Sequence, residues 1–221
     1  MTNAVHPHAA LIVVDVQNDF MPGGPLACHE GDAIISGIDQ LLRHGKFAHV
    51  VATQDWHPAG HTSFASTHEN APPFTTIALN GKQQTLWPNH CVQGTPGAAL
   101  HSGIDWTQVD LVLRKGRQPQ IDSYSAFREN HGPDGMRPST GLAGWLRERG
   151  VTEVFICGLA RDVCVLWTAQ DARDAGFHVQ LLWDLSRPVA PGNDDALWKQ
   201  LANANIATVL SSDMPAGEVQ G

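Results

Sequence analysis

The chain alternates short apolar runs with amphipathic stretches, and that alternation predicts its elements. Residues 9–14 (Ala-Ala-Leu-Ile-Val-Val) are unbroken apolar, as is the run from Val50 to Ala52 before Thr53. Such runs suit central parallel strands buried on both faces. Further strands are predicted over 109–113, 154–157, 179–183 and 206–210. Between them, 32–43 carries Ile34, Ile35, Ile38, Leu41 and Leu42 at helical spacing, with Gly45 closing the helix. Residues 142–149, 163–175 and 194–204 are also read as helices. Residues 55–100 are rich in Pro, Gly, His, Thr and Asn and show no period. A loop of that length inside a compact domain usually carries function. Strands alternating with helices predict a single doubly wound α/β domain over 1–221, with a mostly parallel central sheet flanked by helices and an ordered core at about 9–210. The tail after Asp213 is expected to be disordered.

Composition narrows the function classes. The 221 residues can bury one good-sized core. A net charge of -8 argues against nucleic acid or an anionic membrane as partner. No stretch has the roughly 18 continuous apolar residues of a membrane span, and the N-terminus lacks a signal peptide's basic and apolar regions. A cytoplasmic location follows as the expectation. The four cysteines, Cys28, Cys91, Cys157 and Cys164, show no CxxC spacing and are expected to be free thiols.

The long loop holds the first chemical signal. Asp55, His57 and His61 stand as D-x-H-x3-H directly after the strand near Val50, and His90 follows in Trp87-Pro88-Asn89-His90-Cys91. A carboxylate and three imidazoles suit one borderline divalent ion such as Zn2+, Fe2+ or Mn2+. The C-terminal end of a strand is also where open α/β sheets place their sites. In a chain with 12 histidines, the competing reading is a set of surface imidazoles.

The second signal is spread along the chain. Asp15 ends the first strand, Lys115 follows the third, and Cys164 lies just beyond the fourth. A parallel sheet brings all three to one edge. Taken singly, they read as a turn former, a solvated surface charge and a small buried hydrophobe. Together they suit nucleophilic catalysis: a Cys164 thiol at a helix start, where the dipole favours thiolate, Asp15 as general base, and Lys115 holding Asp15 and balancing its charge.

These residues carry a family resemblance. The segments Asp15-Val16-Gln17-Asn18-Asp19-Phe20, Thr53-Gln54-Asp55-Trp56-His57-Pro58, Trp87-Pro88-Asn89-His90-Cys91-Val92, Arg114-Lys115-Gly116 and Cys157-Gly158-Leu159-Ala160-Arg161-Asp162-Val163-Cys164 resemble the nicotinamidase branch of the cysteine hydrolase (isochorismatase-like) superfamily. The resemblance runs from about residue 9 to 210. It implies hydrolysis of nicotinamide to nicotinate and ammonia, with pyrazinamide as an accepted analogue. It also implies a catalytic triad of Asp15, Lys115 and Cys164, and an oxyanion received by the N–H groups of Cys164 and Ala160. The Leu159–Ala160 bond is implied to be cis. The implied metal ligands are Asp55, His57, His61 and His90, with the ion binding the pyridine nitrogen, and the implied aromatic walls are Phe20 and Trp87. Tyr124 is a further pocket candidate, with plain packing as its alternative. The expected partner is a small molecule, nicotinamide, with neither nucleic acid nor membrane; a homo-oligomer is allowed. Two rivals stay open: another amide or ether hydrolase of the same superfamily, and a non-enzymatic metal or thiol sensor on the same fold.

Overall fold

A computed structural model describes residues 6–45 and 47–214. Its centre is a six-stranded sheet in the order β5-β2-β1-β6-β7-β8. The strands are β1 (His6–Val14), β2 (Phe47–Asp55), β5 (Leu111–Lys115), β6 (Glu153–Leu159), β7 (His178–Arg187) and β8 (Ala207–Val209). Every pairing in this sheet is parallel. The chain winds outward from β1 through β2 to β5, then returns to β6 and winds the other way. Right-handed crossovers in opposite directions put helices on opposite faces. The packing follows that rule. Leu11 and Val13 of β1 face Ile38 and Leu42 of α1 (Ile35–His44). Ala10, Ile12 and Val14 face α2 (Leu142–Arg147), α3 (Leu166–Asp174) and α4 (Asp194–Asn203) through Leu146, Ala169 and Leu201. Ile12, Val13 and Val14 are fully buried, which is why this run carries no polar alternation.

The element order matches the sequence expectation, with strand and helix ends moved by a few residues. Two local differences matter. The segment 55–100 contains an antiparallel hairpin, β3 (Thr76–Leu79) and β4 (Lys82–Thr85). Its turn is Asn80-Gly81, both at positive φ (51° and 73°), the pair that a two-residue hairpin turn favours. Its short polar strands hide it from a search for apolar period. The second difference is at 161–165. The expected helix start is a π-helical turn, Arg161–Val165, ahead of α3. The Ala160 carbonyl there accepts from both Val163 N–H and Val165 N–H. Beyond Met214 the expected disordered tail falls outside the described residues. Among the described residues no helix is long and apolar enough to cross a membrane.

Candidate active site

The strand ends at the C-terminal edge deliver the site. Asp15 follows β1, Asp55 and Lys115 end β2 and β5, and Ala160 follows β6. Asp15 adopts φ 48°, a left-handed conformation that Asp tolerates better than most residues. Its backbone N–H donates to Thr53 Oγ1 (3.1 Å), and the Thr53 hydroxyl donates to Asp15 Oδ1 (2.6 Å). Asp15 Oδ2 lies 2.8 Å from Lys115 Nζ, a fully buried ion pair. Lys115 is fully buried and is the hub of the cluster. Its ammonium reaches Asp15, Asp55 Oδ1 (2.6 Å), the Ser123 carbonyl (3.0 Å) and Cys164 Sγ (3.4 Å). Carboxylate oxygens of Asp15 and Asp55 lie with Cys164 Sγ inside a 4.8 Å group.

Burial, then the Asp15 and Asp55 carboxylates, hold the Cys164 thiol well above its ordinary range, and the opposing pull of Lys115 does not win. Burial also raises Asp15 against the pull of Lys115, so its affinity for a proton is enhanced. For Asp55 burial is again the largest influence, but the Lys115 charge and His57 outweigh it and hold the carboxyl well below its usual range.

Beside this trio is a second convergence. His57 Nδ1 faces the Gly116 carbonyl (3.0 Å) and His90 Nδ1 faces the Pro88 carbonyl (2.8 Å). A carbonyl only accepts, so both Nδ1 atoms act as donors and both Nε2 atoms are turned to the other side. These Nε2 atoms lie 3.3 and 3.5 Å from Asp55 Oδ2. Two ring nitrogens and one carboxylate oxygen converging this closely call for a positive charge at this point, and the carbonyl partners hold the rings in that orientation. Asp55 raises His57 against the opposing influence of burial, so the chain itself draws a proton to this point. The donor set fits a borderline divalent ion. Gly116 is required here: at φ 66°, an added Cβ would stand 2.5 Å from His57 Cε1.

His61 is placed differently. Its ring centroid is 4.4 Å from that of His57, but its metal-competent group is with His57 and Asp122, not with Asp55 and His90. Its Nε2 donates toward the carbonyls of Gln118 (2.9 Å) and Ile121 (3.2 Å), and its Nδ1 accepts from the Ser63 hydroxyl (2.7 Å). Both ring nitrogens are engaged, a detail that D-x-H-x3-H spacing does not reveal.

A cavity joins the two groups, lined by Phe20, Trp87, Tyr124, Ala160 and Cys164 with Asp55, His57 and His90. Leu26, Asp122, Val163 and Val189 complete it, and none of these four was singled out from sequence. Sequence reading also passed over two residues that hold the strand ends. The Gln17 amide pairs with the Asp55 backbone in both directions, accepting from its N–H and donating to its carbonyl, each at 2.8 Å. It thereby extends the β1–β2 ladder with a side chain. Asp19 Oδ2 accepts from Cys91 N–H (2.7 Å), next to His90. A polar residue packed directly behind a buried strand was the available signal for both. The Leu159–Ala160 bond is cis, and all four cysteines are free and buried, as expected.

Known proteins share this arrangement of sequence and fold. The chain is 45% identical to the nicotinamidase of Acinetobacter baylyi, over 94% of each protein. Its fold superposes on the nicotinamidase/pyrazinamidase of Acinetobacter baumannii with a TM-score of 0.89 at 42% identity, covering 96% of this chain and 100% of that one. It also matches the pyrazinamidase of Pyrococcus horikoshii, solved in complex with zinc, with a TM-score of 0.74 at 37% identity, covering 92% and 99%. An isochorismatase domain model matches residues 9–214, almost the full length, and the chain therefore belongs to the isochorismatase domain family.

Proposed function

We propose that this protein hydrolyses nicotinamide to nicotinate and ammonia, and accepts pyrazinamide, by way of a thioester on Cys164. The observation that carries the reading is a buried thiol 3.4 Å from Lys115, sharing one aromatic-lined cavity with Asp55, His57 and His90. The 45% identity to a nicotinamidase supports the same substrate.

The steps follow from the residues. A flat pyridine ring lies between the apolar faces of Phe20 and Trp87, with Tyr124 behind them. The thiol proton passes to the Asp15 carboxylate as sulfur attacks the carboxamide carbon. The tetrahedral oxyanion is received by the N–H groups of Ala160 and Cys164. Asp15 returns the proton to the departing nitrogen, and ammonia leaves a thioester. Asp15 then takes a proton from water as its oxygen attacks the thioester carbon. Nicotinate forms and the thiol is restored. Lys115 stays charged throughout, offsetting the negative charge of Asp15 and Asp55. Asp55, His57 and His90 would hold the divalent ion, with His61, whose ring lies beside His57, as the fourth candidate ligand. When bound, the ion supplies a Lewis-acid site for the ring nitrogen and so orients the ring. Four buried free thiols support a cytoplasmic setting. The test is to incubate the purified protein with nicotinamide, measure ammonia, and repeat after chelation. No ammonia from the metal-loaded protein would overturn the reading.

A further inference from the structure

The hairpin that the sequence hid sends one side chain inward. Along β4 only Gln84 is buried, while Lys82 and Gln83 are exposed. Its Nε2 lies 2.7 Å from Asp122 Oδ2 and 2.8 Å from the Tyr124 hydroxyl oxygen, with the Thr85 carbonyl at 2.7 Å. The same Tyr124 oxygen accepts from Trp87 Nε1 at 3.2 Å. The rings of Trp87 and Tyr124 meet edge to face, 6.1 Å between centroids. One amide therefore fixes Tyr124, and through it the indole that walls the cavity. Tyr124 and Asp122 also line a second, outer cavity, together with Gln84, Asn130 and Trp167. The pair is a shared partition between the inner cavity and this outer space.

We propose that Gln84 is a specificity-determining positioning residue: its amide pins the Tyr124–Asp122 partition and the Trp87 wall, and so restricts the inner cavity to single-ring carboxamides. Gln suits the role because its NH2 group donates to two acceptors at once, and a carboxylate beside Asp122 could not. Releasing the partition lets the inner space extend toward the outer one, which admits a fused second ring. The inference rests on the carboxamide hydrolysis proposed above.

The test uses Gln84→Ala and Gln84→Leu, the second of which keeps most of the volume without the donor. Kinetics are measured on nicotinamide and on quinoline-3-carboxamide, which adds one fused ring. KM for nicotinamide should rise about tenfold with kcat within about threefold, and preference for nicotinamide over the larger amide should fall about tenfold, the scale of one lost pocket constraint. The Trp87 indole N–H resonance, assigned by its disappearance in Trp87→Phe, should shift in both variants. Unchanged KM and preference would overturn the proposal. So would a loss of kcat that only follows the folded fraction, or failure of both variants to fold. If the parent does not hydrolyse nicotinamide, the functional reading fails separately. The Trp87 resonance then decides alone: displacement supports the positioning role, and an unmoved resonance refutes it.

Discussion

Asp55 and Lys115 are register partners on the last rung of the β2–β5 ladder, and their side chains meet at 2.6 Å. Neighbouring strands point paired residues to the same side, so the register itself makes this ion pair. Asp55 thus has one oxygen on the ammonium beside the thiol and the other facing His57 and His90. A single carboxylate joins the nucleophile's charge cluster to the candidate metal site.

Removing the hub should be costly. Lys115→Met keeps the chain's length but leaves Asp15 buried without its cation and strips Asp55 of one of its positive neighbours. Such a break costs about 3–5 kcal/mol, so the denaturant midpoint should drop sharply and ammonia release should vanish. Near-parental stability would mean that the carboxylates are neutralised in another way.

Cys164→Ala should abolish turnover while folding and metal content stay close to the parent, because it removes the nucleophile and little volume. Ammonia assays beside metal analysis check this. Activity within about tenfold of the parent would exclude a covalent route, since a lost nucleophile costs several decades.

Asp15→Asn should fail at the first chemical step, because Asn cannot act as the base that takes the thiol proton. Rapid mixing with nicotinamide should show no burst of ammonia. A full burst would remove Asp15 from acylation.

The histidines should separate. His57→Ala and His90→Ala should lower metal occupancy and nicotinamide turnover together. His61→Ala should keep most of the metal and instead lose stability, since its ring holds the Gln118 and Ile121 carbonyls. Equal metal loss in all three would make His61 a ligand. In the loaded parent, benzamide, which lacks the ring nitrogen, should lose roughly two decades in kcat/KM relative to nicotinamide, and metal removal should shrink that difference.

Gly116→Ala should weaken metal binding without touching a ligand. The new Cβ would push the His57 ring, and the φ of 66° would be strained for alanine. Metal titration of this variant beside the parent gives the answer, and parental affinity would show that the ring has room to shift.

The sequence by itself determined the layout. Apolar runs too continuous to alternate, such as residues 9–14, made buried parallel strands, and helical spacing of Ile34, Ile38 and Leu42 placed α1. Strand ends are local properties, so Asp15, Lys115 and the turn before Cys164 could be assigned to one edge before any coordinates. Tertiary structure decided whatever depends on neighbours distant in sequence. The β2–β5 register paired Asp55 with Lys115. Carbonyls of Gly116 and Pro88 freed the Nε2 atoms of His57 and His90, while those of Gln118 and Ile121 occupied that of His61. Burial and the Asp15 and Asp55 carboxylates raise the Cys164 thiol against the pull of Lys115, an influence that its place near a helix start does not reveal. The Gln84 network joins a hairpin to a segment about 40 residues later. Spacing along the chain states which ligands are available. Hydrogen-bond partners and local dielectric, set only when the chain closes on itself, state which lone pairs and protons remain to be used.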